Sequence, residues 1–182
     1  MTREEALQLV KQNIKNQNLV KHMLATESIM KALARKFGEN EKIWGLCGLL
    51  HDIDYEKTEG QPERHGLVAY EMLGDQVETT VIQAIKSHNE KTGIKPETLL
   101  DKALYAVDPL TGLIVAATLV LPDKKLASLT LESVLNRFKE KRFAAGASRE
   151  QIKTCGNFGL NLEEFVKIGL EAMQNISKEL GL

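Results

Sequence analysis

Apolar residues recur along this chain every three or four positions and nowhere alternate over a convincing run, which predicts helices and no sheet. Leu7, Val10 and Ile14 follow Thr2-Arg-Glu-Glu5, a capping-box pattern at a helix start. After Asn16-Gln17-Asn18 a second helix runs to about Phe37, with Gly38 as its stop. One of its faces carries Leu19, His22, Thr26, Ile29 and Leu33. Asn40 caps a third helix, whose apolar run through Trp44, Leu46, Cys47, Leu49 and Leu50 ends abruptly in His51-Asp52. Residues 54 to 64 are polar and without period, a loop. His65 begins the next helix, which Gly74 stops, and Asp75-Gln-Val-Glu78 reads as another capping box. Behind it Val77, Val81, Ala84, Ile85 and His88 share a face. Pro96 opens a helix with Leu100, Leu104 and Asp108 in one stripe. Thr130 starts a helix through about Lys141, Ser148-Arg-Glu-Gln151 and Asn161-Leu-Glu-Glu164 read as further capping boxes, and the last helix runs to Leu180. The expected fold class is all-α, a helical bundle with a C-terminal helical extension from about 128 to 182.

Composition narrows the function. A chain of 182 residues suits one domain and is long enough to bury a sizeable core. Hydrophobic residues at 43% and charged residues at 27% are ordinary for a globular protein. A net charge of −1 gives no electrostatic footprint for a nucleic acid duplex or an acidic membrane. The longest uncharged stretch, 109–122, is too short for a membrane span and is interrupted by Pro109, Gly112 and Pro122. The first residues carry charges of both signs and no signal-like apolar region. Cys47 and Cys155 show no zinc-type spacing, so reduced thiols in a cytoplasmic protein are expected.

The chemistry lies with the histidines. All four, His22, His51, His65 and His88, fall in the first half of the chain. His22, His51 and His88 sit on apolar helix faces, and His65 opens a helix after a polar loop. His22 alone reads as a core histidine bonded to a carbonyl, and His51-Asp52 alone reads as a solvated helix end. Asp108 is harder to dismiss. It lies between Ala103-Leu-Tyr-Ala-Val107 and Pro109-Leu110, where burying an ionised carboxylate costs on the order of several kcal/mol. Protonation or a helix break at Pro109 relieves that cost, and a neighbouring cation relieves it better. In chain order the donors read His, His-Asp, His, His, Asp. Six nitrogen and oxygen donors without cysteine suit one or two divalent transition metals, iron, manganese or zinc, with magnesium as a further option. A central Asp52 can bridge two ions through its two oxygens.

This ordered set resembles the HD superfamily of metal-dependent phosphohydrolases over residues of about 19 to 115. His22, His51-Asp52 and Asp108 match that family's His, its His-Asp pair and its distant Asp. His65 and His88 resemble the additional pair of the subgroup that holds two metals. His51-Asp-Ile-Asp54 stands where the HDIG branch ends in glycine, and Tyr55 replaces the lysine that often follows. The tail Phe143-Ala-Ala-Gly-Ala-Ser-Arg149 also looks like that of a group of small bacterial HD hydrolases.

The resemblance implies hydrolysis of a phosphate ester, a nucleotide or another small phosphorylated metabolite, through a metal-activated water. It implies that His22, His51, Asp52 and Asp108 hold one ion, that Asp52 bridges, and that His65 and His88 hold a second. Asp54 either orients a ligand or relays a proton, or is a solvent-facing loop carboxylate. A phosphate also needs cationic or N–H donors. Candidates are Lys57, Arg64, Lys91, Lys141, Arg142 and Arg149, with Asn89 and Thr111 as neutral contacts. Two other functions fit the same donors: a di-iron oxygenase of HD type, and a non-catalytic nucleotide-binding module.

Overall fold

One glycine sets how closely two central helices approach. Ten α-helices and five short 3-10 turns make up the computed structural model, which describes all 182 residues and contains no strand. Helix α2 (Gln17–Phe37) packs against α3 (Glu41–Leu50) after a three-residue connection, with Gly38 left-handed at the end of α2 and the Asn40 side chain accepting from the Lys42 and Ile43 amides. A Cβ on Gly48 would lie 2.8 Å from the backbone of Thr26 and Glu27, so α3 can lie this close to α2 only with glycine there.

Helix α1 (Arg3–Asn13) opens with the capping box expected at Thr2 and Glu5, and packs on α3. It is tied to α2 by Arg3, whose guanidinium reaches both oxygens of the buried Glu27 carboxylate. Helix α4 (Leu67–Leu73) starts two residues later than His65, because Gly66 is left-handed at its N-terminus. The capping box expected at Asp75 does not form. Gly74–Gln76 makes a 3-10 turn, Val77 is extended, and α5 (Thr79–Ser87) begins with Glu78, whose side chain makes no cap bond.

Helix α6 (Leu99–Leu119) starts three residues after Pro96, where Thr98 and Asp101 form a capping box that the sequence reading missed. Pro109 lies inside this helix and does not break it. Proline removes one backbone bond there, yet Leu104, Val107, Leu110, Leu113 and Ile114 are buried on either side, and that packing outweighs the lost bond. By length and apolarity α6 alone could cross a membrane, but it runs through the centre of the bundle against α2, α5, α7 (Leu131–Lys139), α8 (Arg149–Lys153) and α9 (Leu162–Asn175). Ser148 and Asn161 each cap their helix from one side only, and the Glu164 carboxylate pairs with Lys36 instead of closing a box. The last helix is interrupted at Ile176, after which α10 (Ser177–Leu180) ends at a left-handed Gly181. One cluster of buried apolar side chains runs from Ala6 to Leu180.

The two glycine environments predict opposite effects. Gly48→Ala gains helix propensity but drives a methyl group into immovable backbone, so it should destabilise the fold by about 1–3 kcal/mol. Gly112→Ala, also helical but with nothing within 4 Å of a Cβ, should stabilise it by up to about 1 kcal/mol. Urea denaturation of the two variants measures both signs.

Candidate metal centre

The ends of two helices and the middles of two others deliver the histidines and acids. His51 and His88 occupy the C-terminal ends of α3 and α5, and each is almost wholly buried. Each ring turns back on its own helix: His51 Nδ1 donates to Gly48 O at 2.8 Å and His88 Nδ1 to Ile85 O at 2.6 Å. His22 comes from α2 and Asp108 from α6. Thr111, one turn beyond Asp108, donates its hydroxyl proton to Asp108 O at 2.8 Å, so its oxygen accepts from His22 Nδ1, also at 2.8 Å. His65 Nδ1 donates to Asp54 Oδ1 at 2.9 Å. A carbonyl or carboxylate can only accept, and the Thr111 hydroxyl proton is already given to Asp108 O, so all four rings carry a proton on Nδ1. The four Nε2 atoms are left as the donor atoms that face one another.

They converge in two pairs about the carboxylate of Asp52. On one side His22 Nε2 lies 3.1 Å from His51 Nε2 and 3.0 Å from Asp108 Oδ1. Both imidazoles stand 3.4 Å from Asp52 Oδ2. On the other side His65 Nε2 lies 3.1 Å from His88 Nε2, and the two are 3.1 and 3.5 Å from Asp52 Oδ1. The ion-pair partners of Asp52 and Asp108 are imidazoles alone, with no lysine or arginine among them. Burial opposes the charge on Asp52, but the surrounding imidazoles outweigh it and hold this carboxyl well below the usual range. Asp108 is lowered in the same way, its burial being outweighed by His22 and His51. His65 loses from burial too, yet its bonds to Asp52 and Asp54 push it up to about 10. Without an ion these bonds favour a protonated His65, and a bound metal would take that proton's place.

A second layer fixes His65. Asp54 is not a solvent-facing carboxylate: it is fully buried, and besides His65 it accepts from the Gly66 amide at 2.8 Å and the Ala69 amide at 2.9 Å. It therefore acts through His65 and does not face the cavity. Gly66 has φ of 90°, and a Cβ there would lie 2.7 Å from Ile85 O, the same carbonyl that orients His88. Asn89 donates to Pro62 O and His65 O, so its amide holds the loop before His65 while its side chain also lines the cavity. The reading of the sequence missed Gly66 and the holding role of Asn89. A glycine directly after a histidine at a helix start was the available sign, since glycine is a poor helix former.

The donors open into a cavity of about 460 Å³, lined also by Leu19, Tyr55, Glu90, Lys91 and Gln151. Of the expected phosphate contacts, Lys91 and Asn89 line it. Lys57, Arg64, Lys141 and Arg142 do not, and Arg64 turns to Gln61. Arg149 is turned away: its guanidinium donates to the carbonyls of Phe138, Phe143, Ala144 and Ala147, tying down the tail. Thr111 is fully buried behind His22 and positions that ring.

Residues 19–113 match the HD domain family. Ribonuclease Y of Lawsonia intracellularis is 31% identical over 138 residues, which is 74% of this chain and 26% of that protein. Ribonuclease Y of Acholeplasma laidlawii is 30% identical over 138 residues, with the same coverage. The chain thus spans about 26% of the length of these curated relatives. No solved structure gives a significant match. The matched segment contains all six converging donors, from His22 to Asp108, and the chain belongs to the HD domain family of metal-dependent phosphohydrolases.

Proposed function

We propose that this protein is a metal-dependent phosphohydrolase acting on a small phosphorylated metabolite, such as a nucleotide. The observation that supports it best is the set of four imidazoles with every Nδ1 committed to an acceptor and every Nε2 aimed at one carboxylate. Lone pairs facing each other at 3.1 Å repel unless a cation or proton lies between them, so the donor set fits a divalent transition metal. His22, His51, Asp108 and Asp52 Oδ2 would hold one ion, and His65, His88 and Asp52 Oδ1 a second. Bound there, the metal supplies Lewis acidity toward a phosphoryl oxygen and acidifies water so that a nucleophile exists near pH 7.

The chain's own groups do the rest. Asp52 offers one oxygen to each side and fixes the spacing of the two halves. Asp54 keeps the proton of His65 on Nδ1, and the carbonyls of Gly48 and Ile85 do the same for His51 and His88. Besides the histidines, Lys91 is the one basic side chain on the cavity wall, placed to neutralise a phosphate. A cavity of about 460 Å³ suits a metabolite-sized substrate.

Two measurements test the metal assignment. Metal content should fall from about two towards one per chain in His88→Ala, with His22→Ala removing the other ion. Unchanged stoichiometry would leave these histidines as structural residues.

Asp52→Ala should abolish hydrolysis of a confirmed phosphate ester while keeping helical content. Wild type should gain about 2.7 kcal/mol on metal at a hundred times its dissociation constant, and the variant less. Paired melting curves and turnover assays with and without Mn²⁺ or Fe²⁺ check this. Wild-type turnover in the variant rules out the bridging role. Dioxygen consumption with an organic substrate, in place of hydrolysis, moves the protein to the oxygenase class.

Asp54→Ala should weaken metal affinity about 10–100-fold at the His65 side, the usual size for losing an outer hydrogen-bond partner of a ligating histidine. A titration followed by calorimetry measures it, and an unchanged isotherm would show that Asp54 only braces the loop.

A further inference from the structure

Tyr55 is placed where no role has been assigned to it. Its side chain is half exposed, 51%, although it stands beside the buried donors. Its ring meets the His65 ring edge-on, with centroids 5.3 Å apart. Together with Leu19 and His22 it lines two cavities: the one that carries Lys91, and a second of about 560 Å³. The remaining walls of the second cavity are Asn16, Asn18, Glu56 and Glu59, two carboxylates and no cation.

The ring is held in place by its backbone. The Tyr55 amide donates to Asp52 O at 3.0 Å, so it hangs from the same turn as the central carboxylate. Its neighbour Glu56 accepts from the Lys15 and Asn16 amides at 2.9 and 2.8 Å, which staples this turn to the junction of α1 and α2. An aromatic face kept open to water on a fixed turn offers apolar contact area at little cost in ordering.

We propose that Tyr55 is a specificity-determining residue: the organic group esterified to the reacting phosphate lies against Tyr55 and Leu19 and extends into the second cavity. This rests on the phosphohydrolase reading above. The phosphate faces the donor cluster and Lys91, and the second cavity repels a further phosphate through Glu56 and Glu59. The preferred alcohol part is therefore an uncharged ring, and a polyanionic extension on that side is disfavoured.

The test compares phenyl phosphate with glycerol 2-phosphate on the Mn²⁺-loaded full chain, by turnover and by equilibrium binding. Wild type should prefer phenyl phosphate. In Tyr55→Ala the ratio of kcat/KM for the two esters should fall about five- to ten-fold through KM, the size of one lost ring contact, and Tyr55→Phe should keep the wild-type ratio. The ratio of dissociation constants should move by the same factor. An unchanged ratio overturns the proposal. So does an equal loss on both esters together with lower metal content, which makes Tyr55 a mere support for His65. If wild type hydrolyses neither ester, the phosphohydrolase reading fails, and the binding ratio still decides the role of Tyr55.

Discussion

Four imidazoles with their lone pairs turned on one carboxylate are the constraint around which this fold is arranged. Each ring nitrogen that faces away is bonded, to Gly48 O, Ile85 O, Thr111 Oγ1 or Asp54 Oδ1. Those bonds fix both ring orientation and tautomer, so the inward nitrogens cannot satisfy one another by hydrogen bonding. Histidines grouped in this way are unfavourable as a structural core and favourable as a cation site. The placement of His51 and His88 at helix C-termini adds to this, because the carbonyl end of a helix carries partial negative charge and favours a positive ion.

Close backbone approach makes the convergence possible. Gly48 lets α3 lie against Thr26 and Glu27 in α2, one turn from His22, and the carbonyl of that same glycine orients His51. Gly66 lets the loop after His65 rest on Ile85 O, which orients His88. In both cases one small residue sets an interhelix distance and one carbonyl sets a ring, so packing and ligand geometry are not separable. The buried Glu27 on the same stretch of α2 pairs with Lys31 of its own helix and with Arg3, which ties α1 to it.

The sequence carried the helices and the six donors because both announce themselves by period. His22, His51, His88 and Asp108 each interrupt an apolar stripe, and an interruption is visible at helical spacing. Helix starts were legible where a capping side chain serves α1 and α3, and illegible where a 3-10 turn intervened, as at Gly74–Gln76 before α5. Pro96 misled because proline marks an opening only when it is the first helical residue, and here Thr98 caps instead. Most of the cavity wall was not legible at all. A surface lysine or arginine has no period, so nothing along the chain separates Lys91, which lines the cavity, from Arg149, which binds carbonyls of its own tail. Thr111 and Asn89 lie near the site as expected, but their hydrogen bonds hold the His22 ring and the His65 backbone in place.

The turn from His51 to Tyr55 shows how densely such a site can be encoded. Five consecutive side chains go five ways: His51 to one half of the donor set, Asp52 to both halves, Ile53 into the core, Asp54 to the backbone behind His65, and Tyr55 to the cavity wall. A regular helix could not do this, since neighbours in a helix point only about 100° apart and would share its faces with the bundle. Tight turns through Ile53, Tyr55 and Thr58 aim each residue separately, and the backbone bonds to Leu50, Asp52 and Asp54 hold them there. Asp54 stands where the resembled pattern has glycine. The replacement adds a buried carboxylate whose two oxygens take three donors, His65 and two amides, so its charge is offset locally. That carboxylate connects the turn carrying His51 and Asp52 to the His65 ring and to the start of α4.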